Sequence, residues 1–220
     1  MLKQPVKLLM AIGITLSIFA GNTCTAVRAE ADPTQIPQGE TMTAHNSNPN
    51  ATTLVTIPDV IAPKDIRIFG SAPKLTYECI SPTQPRRFML IFHAGDDVLA
   101  GVADFANKEK VMGGNFEAIG ALQQTALAYF DRQERVYHTI HVDEQAEVVS
   151  MTGNVSMRDG KYVVHSHAVV SLPEGKTLGG HVLYASVWPT IELFFTESEK
   201  QINRTNYDEE SGLSLIKPQI

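Results

Sequence analysis

The chain has 220 residues, 43% of them hydrophobic, with 18 basic and 24 acidic side chains and a formal net charge of −6. That length and apolar content suffice for one ordinary folded domain with appendages and exclude a wholly disordered chain. The acidic balance removes any general attraction to nucleic acid or an anionic membrane, because both are bound through clustered Lys and Arg, and the sequence contains no such cluster.

At the N-terminus, "MLKQPVK" carries Lys3 and Lys7 and is followed by the uncharged apolar run "LLMAIGITLSIFA" (residues 8–20). A basic segment before an apolar run of this length predicts a secretory signal over residues 1–31, and the run is shorter than the ~20 residues of a membrane span. "CTAVRAEA" then offers small residues at the minus-three and minus-one positions, so cleavage is expected after Ala29 or Ala31. Lipoprotein processing at Cys24 is the alternative; Thr23 stands where a small residue is usual and the expected Leu is missing. Cleavage after Ala31 leaves fifteen basic and twenty-three acidic side chains, a net charge of −8. The expected location is periplasmic or secreted, with no membrane span left. Cys79 would then be the remaining cysteine, read as a small hydrophobe or idle thiol with no intramolecular disulfide open to it.

Residues 32–56 are rich in Pro, Thr, Asn and Gln and read as a flexible linker. Residues 57–85 alternate short apolar runs with Pro58, Pro63, Pro73, Pro82 and Pro85, which predicts irregular or edge-strand structure leading into the domain. The domain itself is expected over residues 86–196. "RRFMLIF" is a buried-strand run. "AGDDVLAGVADFANKEK" reads as a helix capped by Asp96 or Asp97, with Val98, Val102, Phe105 and Ala106 on one face and Gly113-Gly114 beyond its end. "FEAIGALQQTALAYF" (residues 116–130) has helical spacing at Ile119, Leu122, Ala126 and Phe130, although Gly120 sits awkwardly in a helix. Two strand runs follow in "HTIHVDEQAEVVSMTGNVSM", then the hairpin signal Asp159-Gly160, the strand "YVVHSHAVVSL", the turn "PEGK" and the long strand "HVLYASVWPTIELFF". Strands joined by tight turns beside a clear helix predict an α+β fold, an antiparallel β-sheet with flanking helices. Residues 197–220 read as a charged, then polar, C-terminal tail with a mobile end.

"GDDVLAGVADFANKEKVMGGNFEAIGALQQTALAYFD", "EVVSMTGNVSMRDGKYVVHSHAVVS" and "TLGGHVLYASVWPTIELFF" together resemble the plants and prokaryotes conserved (PPC) domain over residues 86–196. The resemblance rests on the "IGAL" bend, the "EVVSMTGNVS" strand with its "DGK" turn, the "HSH" pair and the "GGH" before the last strand. It implies an α+β fold usually assembled as a homotrimer, and it implies that residues 116–130 are a bent strand rather than a helix. Plant members carry an Arg-Gly-Arg-Pro element for the DNA minor groove; this sequence has none, which with the charge and the export signal argues against the DNA-binding role.

Three of the seven histidines fall in "HSHAVVSLPEGKTLGGH" (residues 165–181). His165 and His167 are two apart in a strand, so their side chains leave one face with Cα atoms ~6.5 Å apart. The turn at Glu174-Gly175 returns the chain, and Gly179-Gly180 gives room to bring His181 alongside. Three imidazoles with an open position form the donor set of a zinc site or a similar divalent-metal site. Polar sheet residues bonded to backbone or water are the alternative, and the resemblance favours metal because some prokaryotic members hold one through these histidines. Thr152 and Asn154 are expected across the hairpin from His167 and His165, placed to orient a ligand. Glu192, an acid in an apolar strand, is the weak candidate for a catalytic group, and Glu147 is a second acid at a strand start. His138 and His141 are three apart in a strand and so face opposite sides, which argues against one shared ion; His93 and His45 read as solvated. "GGNFEAIG" has the wrong spacing for a nucleotide loop.

The first functional reading is therefore an exported, trimeric, metal-binding module for ligand binding or assembly, of undetermined activity, its expected partners being other copies of itself and a small anionic ligand. A metal-dependent enzyme on a small oxoacid is the rival, by likeness of fold to acetolactate decarboxylase. DNA binding is the third. An arginine and a carboxylate converging on the metal would favour the enzyme.

Overall fold

The computed structural model describes residues 55–218. The signal segment, most of the linker, Cys24 and His45 lie outside the described residues. Ten strands and one α-helix follow in the order β1 (Val60–Ile61), β2 (Thr76–Ser81), β3 (Arg87–His93), α1 (Val98–Glu109), β4 (Gly114–Asp131), β5 (Val136–Val142), β6 (Ala146–Arg158), β7 (Lys161–Ser171), β8 (Thr177–Glu197), β9 (Asn203–Tyr207) and β10 (Ser214–Lys217). All ten belong to one sheet, ordered β1-β5-β4-β6-β7-β8-β3-β2, with the β9–β10 hairpin attached to β6. β4 also pairs with β8, so β4, β6, β7 and β8 close a hydrogen-bonded ring. The sheet is mixed, because β9 meets β6 in parallel at Met157 and Asn203 while the other pairings are antiparallel.

The α+β expectation, a sheet with flanking helices, is overturned. The fold is β-dominated, with α1 as the one α-helix among the described residues. Residues 116–130, helical by periodicity, lie in the 18-residue strand β4. β4 is flanked by β5 and β6 on one side and by β8 on the other, and from residue 121 to 128 nearly every residue is buried. A strand covered on both faces loses its period-2 alternation, and its apolar run then matches helical spacing by chance. The bend implied by the resemblance is present: Gly120 has φ +141°, the β4–β6 register shifts between Ala118 and Gly120, and a Cβ at Gly120 would collide with the Thr190 carbonyl.

Local signals elsewhere produce the elements they predict. Asp97 caps α1, its carboxylate accepting from the Ala100 amide at 2.8 Å. Asp96 instead accepts from the Lys74 and His93 amides and fixes the preceding loop. Val98, Val102, Phe105 and Ala106 are buried, and Phe105 stands edge-on to Phe88 and Phe195 at 4.9 and 5.3 Å between ring centres. Each such fully buried ring contributes on the order of 1.5–3 kcal/mol. Asp159 and Gly160, both at positive φ, close β6 onto β7 as a two-residue hairpin between Arg158 and Lys161.

A second apolar cluster occupies the far ends of β4 and β8. Ile57 and Ile61 from the lead-in segment pack there with Ala126, Ala128, Tyr137, Leu183 and Tyr184, joined by Leu213 from the tail. The segment after Glu197 is structured through β10. Ile202 both donates to the Met112 carbonyl and accepts from the Met157 amide, at 2.9 and 2.8 Å. At its root, buried Arg86 makes a two-pronged contact with buried Glu197, at 2.6 and 3.0 Å, and also reaches Glu109 at 3.3 Å. No helix among the described residues is long and apolar enough to cross a membrane.

Candidate metal centre

β7 alternates cleanly: Ser166, Ala168 and Val170 enter the core, while His165, His167 and Val169 project from the opposite face. β8 runs antiparallel beside it, with His181 directly opposite His167. The return is made by the residues after β7, where Leu172 and Lys176 close the loop and Glu174 and Gly175 take positive φ. Of the two glycines before His181, Gly180 is the one the geometry demands. Its Cβ would lie 2.6 Å from the Ala128 carbonyl, so β8 approaches β4 closely at this point, whereas a Cβ at Gly179 meets only ordinary contacts of 3.4 Å and more.

The ring centres of His165, His167 and His181 are 5.0–5.4 Å apart, and one nitrogen from each lies within 4.8 Å of the others. His181 stacks on Tyr137 at 4.8 Å. Its Nδ1 is buried with no hydrogen-bond partner, the one such side-chain atom among the described residues. Burial holds its pKa down at about 3, with repulsion from His165, His167 and Arg204 adding to the effect. His165 is held at about 4 by burial, then by Arg204 and His167. Both rings are therefore neutral at physiological pH, the form that coordinates a cation. Three converging imidazoles, two of them held neutral and one with an orphaned buried nitrogen, fit a divalent ion.

The three rings open into a cavity of about 310 Å³. Its wall is largely apolar, with Ile66, Val163, Leu213 and Leu215, and its polar lining includes Arg158 and Arg204 but, among the described residues, no Asp or Glu. Arg204, from the tail, lies outside every sequence motif, and no local pattern in "NRTNY" singles it out. Asn154 pairs with His165 and Thr152 with His167, as the hairpin predicts. Asn154 holds Arg204, its Oδ1 accepting from Nη2 at 2.9 Å, and Thr152 faces a different cavity.

Other candidates lie elsewhere. Glu192 is exposed and lines that second cavity with Glu117, Ile119 and Phe194. Glu147 is exposed at the start of β6. His138 is paired with Glu134 at 3.3 Å and His141 with Asp59 at 2.9 Å. Asp131, Glu134 and His138 form a second group with donors within 4.8 Å, on the β4–β5 turn. His93 is exposed at the end of β3. Cys79 is not the idle thiol expected; it is disulfide-bonded.

A protein of Bacteroides thetaiotaomicron provisionally assigned to DNA binding superposes with a TM-score of 0.61 at 22% identity, over 65% of this chain and 96% of its own, a likeness of fold alone. The metal-containing protein of Archaeoglobus fulgidus is 28% identical with a TM-score of 0.57, over 65% of this chain and 99% of its own. A plant- and prokaryote-conserved protein of Pyrococcus horikoshii is 26% identical with a TM-score of 0.57, over 61% and 93%. Comparison with curated proteins produced no significant match. Residues 80–199, more than half of the sequence and including all three histidines, match the family model of the Plants and Prokaryotes Conserved domain, so the chain belongs to the PCC (PPC) domain family.

Proposed function

We propose that this is an exported PPC-domain protein that holds a divalent metal ion through His165, His167 and His181 and presents it to a ligand in the adjoining cavity. The observation that carries the reading is the orphaned Nδ1 of His181. An unsatisfied buried nitrogen costs about 1–3 kcal/mol, and a bond to a cation removes that cost. An all-imidazole set with no thiolate and no carboxylate suits zinc among the divalent ions. Three protein donors leave a fourth position for the ligand. The family match and the metal-containing relative from Archaeoglobus fulgidus support the same reading.

A binding or assembly module is favoured over an enzyme because, among the described residues, no carboxylate lines the histidine cavity to serve as general acid or base. Assembly as a homotrimer is supported by the resemblance and by the exposed apolar residues Ile119, Val149 and Phe194, which a neighbouring copy would cover. Sedimentation of a monomer at micromolar concentration would refute it. The net charge of −6 opposes duplex DNA, and tight, steeply salt-dependent binding would refute that part. Export rests on the N-terminal sequence pattern, and an intact Met1 on cytoplasmic protein from the native host would overturn it.

Elemental analysis of the purified protein tests the metal. Up to one transition-metal ion per protomer is expected, with most of it lost in His167→Ala. Metal content near zero at every pH, with no rebinding on zinc titration, would refute the proposal.

A further inference from the structure

Arg204 is built into the cavity by β9, outside the residues that match the family. It is half-buried, and its partners are all neutral: Nε donates to Ser156 Oγ at 2.6 Å, Nη1 to the Ser214 carbonyl at 2.6 Å and Nη2 to Asn154 Oδ1 at 2.9 Å. Arg86, which is buried, is neutralised by Glu197 and Glu109. Among the described residues Arg204 has no such counter-ion, and none of those lining its cavity is acidic. A second cation, Arg158, lines the same cavity, its guanidinium over the Tyr207 ring at 4.8 Å. Guanidinium has five donors and three are used, leaving one on each terminal nitrogen. A partly buried cation that shares its cavity with another cation and is held by neutral groups is suited to receive an anion.

We propose that the cavity binds a small carboxylate with a compact apolar body, its head group held by Arg204 and its body against Ile66, Val163, Leu213 and Leu215. Two free donors, one on each terminal nitrogen, match the two oxygens of a planar carboxylate. The apolar wall suits a hydrocarbon body better than a sugar-phosphate, and about 310 Å³ lies within the range of small-molecule sites. The histidines share the cavity, and a carboxylate oxygen is an ordinary ligand of a divalent ion. The inference rests on the metal reading only for this second contact; the Arg204 contact stands without it.

Titration calorimetry on the purified full protein, zinc-loaded and after chelation, tests the inference with hexanoate and its neutral isostere hexanamide. Hexanoate is expected to bind at least ~10-fold more tightly than hexanamide, since a hydrogen bond to a charged group carries about one decade or more of affinity. Arg204→Gln is expected to weaken hexanoate by at least ~10-fold while leaving the zinc stoichiometry unchanged. Because Arg204 also ties β9 to β6 and β10, the hexanoate and hexanamide comparison on the unaltered protein provides a test that needs no variant. Equal affinity for the two probes, or hexanoate binding unaffected by Arg204→Gln, overturns the proposal. So does displacement of hexanoate by duplex DNA at physiological salt, which would make Arg204 a phosphate contact. Arg204-dependent hexanoate binding without zinc uptake would sink the metal reading and leave this one standing. Full zinc uptake without hexanoate binding would do the reverse.

Discussion

Replacing His181 by Leu separates a metal ligand from a structural histidine, because the two roles predict opposite signs. In the metal-free fold, Nδ1 of His181 is buried without a partner, a cost of about 1–3 kcal/mol. Leu has similar bulk and no polar atom, so that cost disappears; the stack on Tyr137, about 0.5–1.5 kcal/mol, is lost with the ring. The expected net effect with chelator is a gain of about 1 kcal/mol. With free zinc at 100 times its dissociation constant the unaltered protein gains about 2.7 kcal/mol and the variant none, so the order of stability reverses. Urea unfolding of both proteins, with chelator and with zinc, measures all four values. pH adds a second readout. A histidine held at about 3 in the fold and near its ordinary 6.5 when unfolded contributes stability present above pH 6.5 and lost as pH falls toward 3. The metal-free variant is therefore expected to lose less stability than the parent over that interval. A chelated variant less stable than the parent by more than about 1 kcal/mol would show that the His181 ring is satisfied in the fold, and equal stabilisation of both proteins by zinc would remove it from the ligand set.

Asp97 titrates with the opposite sense. Burial raises its pKa from 3.8 to about 6 despite the amides it accepts from, so its contribution is fully present below pH 3.8 and is lost as pH rises to about 6. Asp97→Asn keeps a good cap, and its stability relative to the parent is expected to rise between pH 4 and 6 by up to about 3 kcal/mol and then stay level, as read by urea midpoints at each pH. Glu197→Ala leaves Arg86 buried with only the longer Glu109 contact, and a loss of about 3–5 kcal/mol is expected in equilibrium unfolding. A loss under 1 kcal/mol would mean that water reaches the Arg86 guanidinium.

The parts of this site visible in sequence are those set by chain-local geometry. A two-residue turn at Asp159-Gly160 fixes the register of β6 on β7, and with it Asn154 opposite His165 and Thr152 opposite His167. The next turn similarly sets His181 opposite His167. Residues 116–130 were misread by periodicity because burial of a strand on both faces is a property of its neighbours, not of its own pattern. Arg204 was invisible for a related reason. It meets Ser156 across 48 residues, through a hairpin that touches β6 by a single parallel bridge, and neither turn chemistry nor periodicity encodes such a contact.

The three histidines all come from residues 80–199, the segment shared with the family, whereas Arg204, Leu213, Leu215, Pro63 and Ile66 come from the chain on either side of it. The proposed metal donors thus belong to the common scaffold, and much of the surface that would select a ligand is supplied by flanking segments folded back over it. Relatives that keep the histidines but differ in those flanks would hold a similar ion behind a different cavity wall. On this argument, exchanging residues 200–218 with the corresponding segment of a relative should change which anion binds while leaving the metal stoichiometry as it was. A metal content that tracked the exchanged segment would place the donors, not just the selectivity, in the flanks.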